Sequence, residues 1–259
     1  MQDLKVTVVQ TELFWEDRDR NIARFDDIID RIEDTHLVIF PEMFTTGFSM
    51  EVHQLAQTMN GSSVQWLREK SRKRRINITG SIIIEEKGEY YNRLIWAKPD
   101  GDICTYDKKH LFRISGEEKV FSAGDSKVTI EINGWKLRPF ICYDLRFPLW
   151  ARNLGNEYDV AIFIANWPEK RSAHWKLLLQ ARAVENQSYV VGVNRVGTDG
   201  RGFYYSGDSS IIDPRGEILF RKSHEECIHT EVLSRALLEE YRASFPFWMD
   251  ADTIEDIQK

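Results

Sequence analysis

The chain has 259 residues, 42% of them hydrophobic and 29% charged, with a formal net charge of −6 at pH 7. This is the profile of a soluble globule, and it offers no basic field for a nucleic acid. Apolar runs such as Val160 to Ala165 are of strand length, far short of a membrane span. Cys104, Cys142 and Cys227 form no close pair and no metal-ligand spacing. They predict a reducing compartment, the cytoplasm, with neither a disulfide framework nor a metal centre.

Leu4 to Gln10 alternates and is rich in valine, which predicts a strand entered directly, without the segments of a signal peptide. Asp17 to Asp34 places Ile22, Phe25, Ile28, Ile29 and Ile32 at helical spacing. Leu37 to Phe40 is all apolar, the pattern of a strand covered on both faces; Pro41 ends it, and Glu42 stands just beyond. Ser62 is the expected N-cap of a helix reaching about Arg75. Ile76 to Glu86, Tyr90 to Lys98 and a strand toward Tyr106 predict a meander, punctuated by Lys87-Gly88 and Pro99-Asp100-Gly101. Lys127 to Ile132 and Trp135 to Cys142 flank Asn133-Gly134, a two-residue hairpin signal.

Tyr158 to Ala165 is a further buried strand, and Ser172 to Gln187 a helix with Trp175, Leu178, Leu179 and Ala183 inward. Ser188 to Asn194 follows as a strand, then a hairpin of Ser209 to Asp213 with Glu217 to Arg221 around Pro214-Arg215-Gly216. A strand from Cys227 to Val232 and a helix from Ser234 to about Tyr241 complete the body. The tail from about residue 242, with Phe245-Pro246-Phe247-Trp248, is aromatic and then acidic, and is expected to extend over the body or a partner subunit. No repeat or Gly/Ser linker divides the chain, so residues 1–259 read as a single domain of α/β layers.

The stretch Leu137 to Trp150, LRPFICYDLRFPLW, runs an apolar strand into a polar turn and sets Cys142 where the strand stops. A nucleophile there lies beside free backbone N–H groups, which lower a thiol pKa and can receive an oxyanion. The plainer reading is a core cysteine. Two other strand ends bear on the choice: Glu42 follows Leu37–Phe40, and Lys108 follows the strand ending near Tyr106. Glu42 could be a turn residue and Lys108 a surface charge. Together a carboxylate, an ammonium and a thiol make an acyl-transfer set: sulfur attacks a carbonyl, the cation and a backbone N–H hold the oxyanion, and the carboxylate moves protons. His110 and His174 read as structural, and Cys104 and Cys227 as core.

Three motifs then carry a resemblance: F-P-E-M-F at Phe40 to Phe44, Y-D-K-K-H-L-F at Tyr106 to Phe112 and F-I-C-Y-D-L-R-F-P at Phe140 to Pro148. In order and spacing, over nearly the whole chain, they resemble the nitrilase superfamily of carbon–nitrogen hydrolases. T-T-G-F, A-N-W-P, A-R-A-x-E-N-Q and the F-P-F-W tail are most similar to its ω-amidase branch, which hydrolyses the terminal amide of 2-oxoglutaramate or 2-oxosuccinamate. The resemblance implies an α/β fold, a four-layer α-β-β-α sandwich, and at least a homodimer. It implies a catalytic triad of Glu42, Lys108 and Cys142, Asp107 standing where the family commonly has Arg. A second, supporting glutamate falls on Glu117 or Glu118, and Tyr143 supplies a backbone oxyanion donor. No metal or organic cofactor is implied.

A short 2-oxo-dicarboxylic monoamide carries a carboxylate that a cation should meet. Arg146 is the first candidate and Arg171 the second, with Phe44 and Trp167 as walls; Arg146 could instead pair structurally with Asp144. A nitrilase, carbamoylase or aliphatic amidase would use the same triad on another C–N bond. A thiol-redox protein would need a resolving cysteine, and a non-catalytic binding protein would be expected to lack one triad member.

Overall fold

In β1 (Leu4–Gln10), Leu4, Val6 and Val8 pack into one hydrophobic cluster and Val9 into another. A strand apolar on both faces has to be covered on both, and that sets the layering. The structure is a computed structural model, which describes residues 2–252. One sheet takes β1, β2 (Leu37–Ile39), β3 (Asn77–Glu86), β4 (Glu89–Ala97), β5 (Ile103–Asp107) and the last strand, β13 (Cys227–Leu233), in the order β13-β1-β2-β3-β4-β5. The other takes β6 (Ile130–Ile132), β7 (Trp135–Ile141), β8 (Val160–Ala165), β9 (Tyr189–Asn194), β10 (Val196–Thr198) and β11 (Tyr204–Ile212), in the order β10-β11-β9-β8-β7-β6, with β12 (Ile218–Ser223) paired to β11.

Between the sheets Leu4, Val6, Val8 and Trp96 meet Leu137, Ile162, Ile164 and Val191. Each such aliphatic side chain contributes about 1.5–3 kcal/mol on leaving water. Outside the first sheet, Phe25, Ile28 and Ile29 of α1 (Arg18–Asp30) and Val64 and Leu67 of α3 (Ser62–Arg74) cover Val9, Val38 and Ile78. Outside the second, Trp175, Leu179 and Ala183 of α5 (Ser172–Asn186) cover Phe140, Phe163 and Val190. The result is the expected α-β-β-α sandwich. Short helices α2 (Val52–Leu55) and α4 (Pro148–Ala151) sit in the loops, and α6 (Arg235–Ser244) adds Leu238 to the inter-sheet core. No described helix is long and apolar enough to cross a membrane.

Strand direction places the site. β1, β2 and β3 run parallel, β4 reverses and β5 reverses again, so β5 ends on the same edge as β2. β7, β8 and β9 are parallel to one another. Asn133 and Gly134 both take positive φ, +50° and +80°, as a tight two-residue hairpin requires.

Several boundaries differ from the sequence expectation. α1 is capped by the Asp17 side chain and stops at Asp30, although Ile32 is still buried. The N-cap of α3 is Gly61, not Ser62: the Gln57 carboxamide oxygen takes the Ser63 N–H at 3.0 Å and does the capping. A Cβ on Gly61 would lie 2.7 Å from the Gln57 Cβ and 2.5 Å from that oxygen, so a larger residue there would displace the cap. β10 is a strand without a sequence signal. Along the tail, Arg242 donates to Asp159 at 2.8 Å and Gln187 to the Phe245 carbonyl at 2.8 Å, laying that segment on the body. The acidic residues from 253 onward lie outside the described residues.

Candidate active site

The ends of β2 and β5 bring a carboxylate and an ammonium together in the interior. Glu42, Lys108 and Glu117 are all buried. The Lys108 ammonium donates to Glu42 Oε1 at 2.9 Å and to both Glu117 oxygens at 3.0 Å. Asn92, on β4, donates to Glu42 Oε1 at 2.8 Å and to Glu117 Oε1 at 3.4 Å. Glu42 Oε2 takes the Asn166 N–H at 2.8 Å, from the end of β8 in the opposite sheet. Asn166 Nδ2 donates to the Glu42 carbonyl at 2.6 Å, a second tie across the sandwich. Glu117, not Glu118, is the carboxylate that reaches Lys108, and the Phe112 N–H at 2.6 Å fixes its other side.

Cys142 ends β7 with φ at +44°, in the left-handed region. For a residue with a Cβ that conformation costs about 1–3 kcal/mol and persists only where neighbours enforce it. Asp144, fully buried, is the enforcer: its Oδ2 takes the Ile141 N–H at 3.0 Å and the Tyr106 hydroxyl at 2.7 Å. Its Oδ1 takes the His110 N–H at 2.9 Å and lies 2.8 Å from His110 Nδ1. One carboxylate thus pins the cysteine turn to the residues flanking Lys108. A 3₁₀ turn over Cys142–Arg146 precedes the short α4. The Tyr143 N–H, at the start of that turn, has no partner within it.

Burial pushes the Cys142 thiol well above its ordinary range; the Glu42 and Glu117 charges add to this and Lys108 opposes it. The resting sulfur is therefore protonated at neutral pH. Burial raises Glu117 against the pull of Lys108, and the nearby Glu42 charge raises it further. Burial alone would lower Lys108, but Glu117 and Glu42 outweigh it and hold the ammonium charged.

A cavity of about 340 Å³ opens onto Cys142 and Tyr143. Arg146, Trp167 and Arg171 line it, the Arg146 guanidinium lying 4.7 Å from the Trp167 ring centre. Arg146 does not pair with Asp144; its Nη2 meets His174 Nδ1 at 3.2 Å. Phe44 is a correction. It is fully buried behind the first sheet against Phe25 and Phe40, and Phe48 stands in the cavity wall, 5.1 Å from the Lys108 ammonium. The F-P-E-M-F run suggested the nearer phenylalanine, but Phe44 packs outward against Phe25, Phe40 and Trp66, into room that Gly80 leaves: a Cβ on Gly80 would come within 2.8 Å of the Phe44 ring. Sequence reading also passed over Asn92 and the loop bearing Asp199, Arg201 and Phe203. An amide within the otherwise apolar Asn92–Ala97 half of β4, Arg93 aside, was the available signal for Asn92. Among the described residues no group of three or more His, Cys, Asp or Glu could hold a metal ion.

The family model described as carbon–nitrogen hydrolase matches residues 5–243. The chain is 44% identical to the omega-amidase YafV of Escherichia coli K12 over 255 residues, 97% of this chain and 98% of that one. It is 33% identical to the 2-oxoglutaramate amidase of Bacillus subtilis 168 over 251 residues, 95% and 96% of the two chains. Among solved structures it is similar to a CN-hydrolase superfamily protein of Xanthomonas campestris that carries an arsenic adduct in its active site. The TM-score there is 0.96 and the identity 39%, covering 98% and 99% of the chains.

Proposed function

The chain belongs to the carbon–nitrogen hydrolase family, on the ω-amidase-like side of the nitrilase superfamily, and from that membership and its site we propose an amidase acting on the terminal carboxamide of a small 2-oxo-dicarboxylic acid monoamide. The substrate is of the 2-oxoglutaramate or 2-oxosuccinamate type, and the products are the acid and ammonia. The observation that supports this most is the shared buried cluster of Glu42, Lys108 and Glu117 at the thiol of Cys142.

In the proposed cycle Glu42 takes the thiol proton as sulfur attacks the amide carbon. The negative oxygen is met by the Tyr143 N–H and by the charge of Lys108, whose own N–H groups already face the two glutamates. Glu42 returns the proton to the departing nitrogen; ammonia leaves and a thioester remains. Water then attacks, with Glu42 as base, and the acid leaves as the thiol is restored. Glu117 and Asn92 keep the Lys108 and Glu42 geometry through both halves. Arg146 and Arg171 receive the substrate carboxylate, and Trp167 walls the pocket.

The chain acts as one hydrolase domain in the cytoplasm, where its three free thiols remain reduced. It pairs as a homodimer: Leu177 and Val184 stand exposed on α5, two turns apart on one face. The test is ammonia release from a panel of carboxylated and plain amides by the wild type and by Cys142→Ala, with hydroxylamine trapping of the acyl-enzyme. Turnover by Cys142→Ala, or no preference for the carboxylated amides, overturns the reading.

A further inference from the structure

The loop between β10 and β11 brings a third guanidinium, Arg201, into the wall of the cavity. We infer that Arg201 is a specificity-determining residue, closing over the carboxylate of the substrate and held in place by Asp199; the substrate identity rests on the amidase reading above.

The loop is built for position. Asp199 is buried, and its Oδ1 takes the N–H groups of Arg201 and Phe203, both at 2.9 Å. Its Oδ2 takes the hydroxyl of buried Tyr205 at 2.8 Å. The Asp199 N–H reaches the Phe203 carbonyl at 3.0 Å and closes the turn. Gly200 lies against Trp15, where a Cβ would come within 2.3 Å of the indole, so the backbone can settle there only as glycine. Behind the loop, the Arg195 guanidinium sits 4.8 Å from the Tyr205 ring centre and completes the buried support.

The charges then lack an answer from the chain itself. Among the described residues the guanidiniums of Arg171 and Arg201 form no ion pair and no hydrogen bond. The Arg201 guanidinium lies 5.7 Å from the Trp15 ring centre, in the cavity wall. Among the described residues Arg146 has no carboxylate partner: its Nη2 meets His174, its guanidinium lies over Trp167, and Arg171 is close enough to repel it. Among the described residues Asp199 is the one carboxylate lining the cavity, and its oxygens already hold Arg201 N–H, Phe203 N–H and Tyr205. So a pocket with three guanidiniums and one engaged carboxylate sits in a protein whose acidic residues outnumber its basic ones 41 to 35. Like charges gathered on one cavity raise the local concentration of an anion. A guanidinium fork matches a carboxylate, or the carboxylate and adjacent keto oxygen of a 2-oxo acid. Arg201 is exposed, so its contact is that of a rim that folds onto bound substrate.

The experiment compares a 2-oxo-dicarboxylic monoamide with the straight-chain amide of equal length that lacks the carboxylate, by ammonia release, in wild type and Arg201→Met. The KM ratio of acid to neutral amide should rise about tenfold, the scale of one charge-assisted hydrogen bond at a solvated rim. Asp199→Ala should shift the same ratio, and Asp199→Asn, which keeps an acceptor for the two N–H groups, should largely restore it. Calorimetric titration with 2-oxoglutarate reads the same contact without turnover and should show about tenfold weaker binding to Arg201→Met. An unchanged ratio together with unchanged binding overturns the assignment, as does an equal effect on both amides. Wild-type protein that binds the dicarboxylate through Arg201 yet releases no ammonia from any amide would overturn the amidase reading and leave this one standing.

Discussion

Replacing Glu42 with glutamine should abolish hydrolysis and at the same time make Cys142 more reactive toward an alkylating agent. Burial holds the thiol up, and Glu42 adds to that both through its charge and through its hydrogen bond to sulfur; Lys108 pulls the other way. Glu42→Gln removes both contributions of Glu42 and leaves the Lys108 ammonium less opposed, so the thiol pKa falls and thiolate becomes more abundant at pH 8. A tenfold gain in thiolate brings only about a threefold gain in alkylation rate, because intrinsic nucleophilicity declines along the same series. Hydrolysis fares differently, because it needs a proton acceptor and a proton donor in turn; loss of that relay costs about 10²–10⁴ in kcat. The substitution is also felt in stability. Glu42 presents one oxygen to Lys108 and Asn92 and the other to the Asn166 N–H. A carboxamide must turn its NH₂ toward donors on one side or the other, at about 1–3 kcal/mol. The assay is the second-order rate with iodoacetamide, corrected with Cys142→Ala for Cys104 and Cys227, beside ammonia release and a urea titration. Slower alkylation in Glu42→Gln than in wild type, or ammonia release within tenfold of wild type, would refute this account of the base.

Lys108→Met strands two buried carboxylates; it should lower stability by about 3–5 kcal/mol and the rate by at least 10²–10³, the scale of one lost oxyanion partner. Because the Lys108 pKa is raised on folding above its ordinary 10.5, its contribution is fully present from neutral pH up to about that value and is lost only above it. The stability gap between wild type and Lys108→Met should accordingly not close from pH 7 to 10; a gap that closes within that range contradicts the assigned ion pairs. Asp144→Ala orphans the Tyr106 hydroxyl and the Ile141 N–H, worth together about 2–5 kcal/mol, and urea denaturation should register it, with Asp144→Asn milder. Leu177→Glu on the exposed face of α5 should turn a dimer into a monomer in analytical ultracentrifugation; an unchanged sedimentation profile removes that face from the interface.

Most of the sandwich is written in periodicity. Valine and isoleucine runs at β1, β2, β8 and β9 mark strands because every apolar side chain there is covered, and the helical stripe at Phe25, Ile28 and Ile29 marks α1 because only one face is. What escaped depended on contacts distant in sequence. Gly61 caps α3 because Gln57 folds back over it, which nothing in Ser62-Ser63 discloses. β10 is three residues long and owes its existence to pairing with β11. The residues of the candidate site were legible in type and order, but the division of labour between Glu117 and Glu118 was not. It is set by a 3₁₀ turn that buries Glu117 and leaves its neighbour half-exposed. Phe44 and Phe48 likewise differ only in which way the chain turns after Glu42.

That turn has a physical source. Met43 takes φ at +43°, beside Glu42, just as Cys142 takes +44° at the end of β7. Each strained residue lies where a chain leaving a parallel strand would otherwise continue out of the sandwich. Each is held by a partner outside its own strand: the Ser81 hydroxyl accepts the Met43 N–H at 2.8 Å, and Asp144 accepts the Ile141 N–H. At about 1–3 kcal/mol apiece these conformations are a sizeable fraction of a typical folding free energy. Relaxing either would carry its reactive group away from the gap between the sheets, where Glu42 meets Asn166 and where sulfur feels both carboxylates. The strain and the buried charge are therefore parts of one arrangement: the folded core bears both so that a neutral thiol, a base and a cation meet at the floor of one pocket.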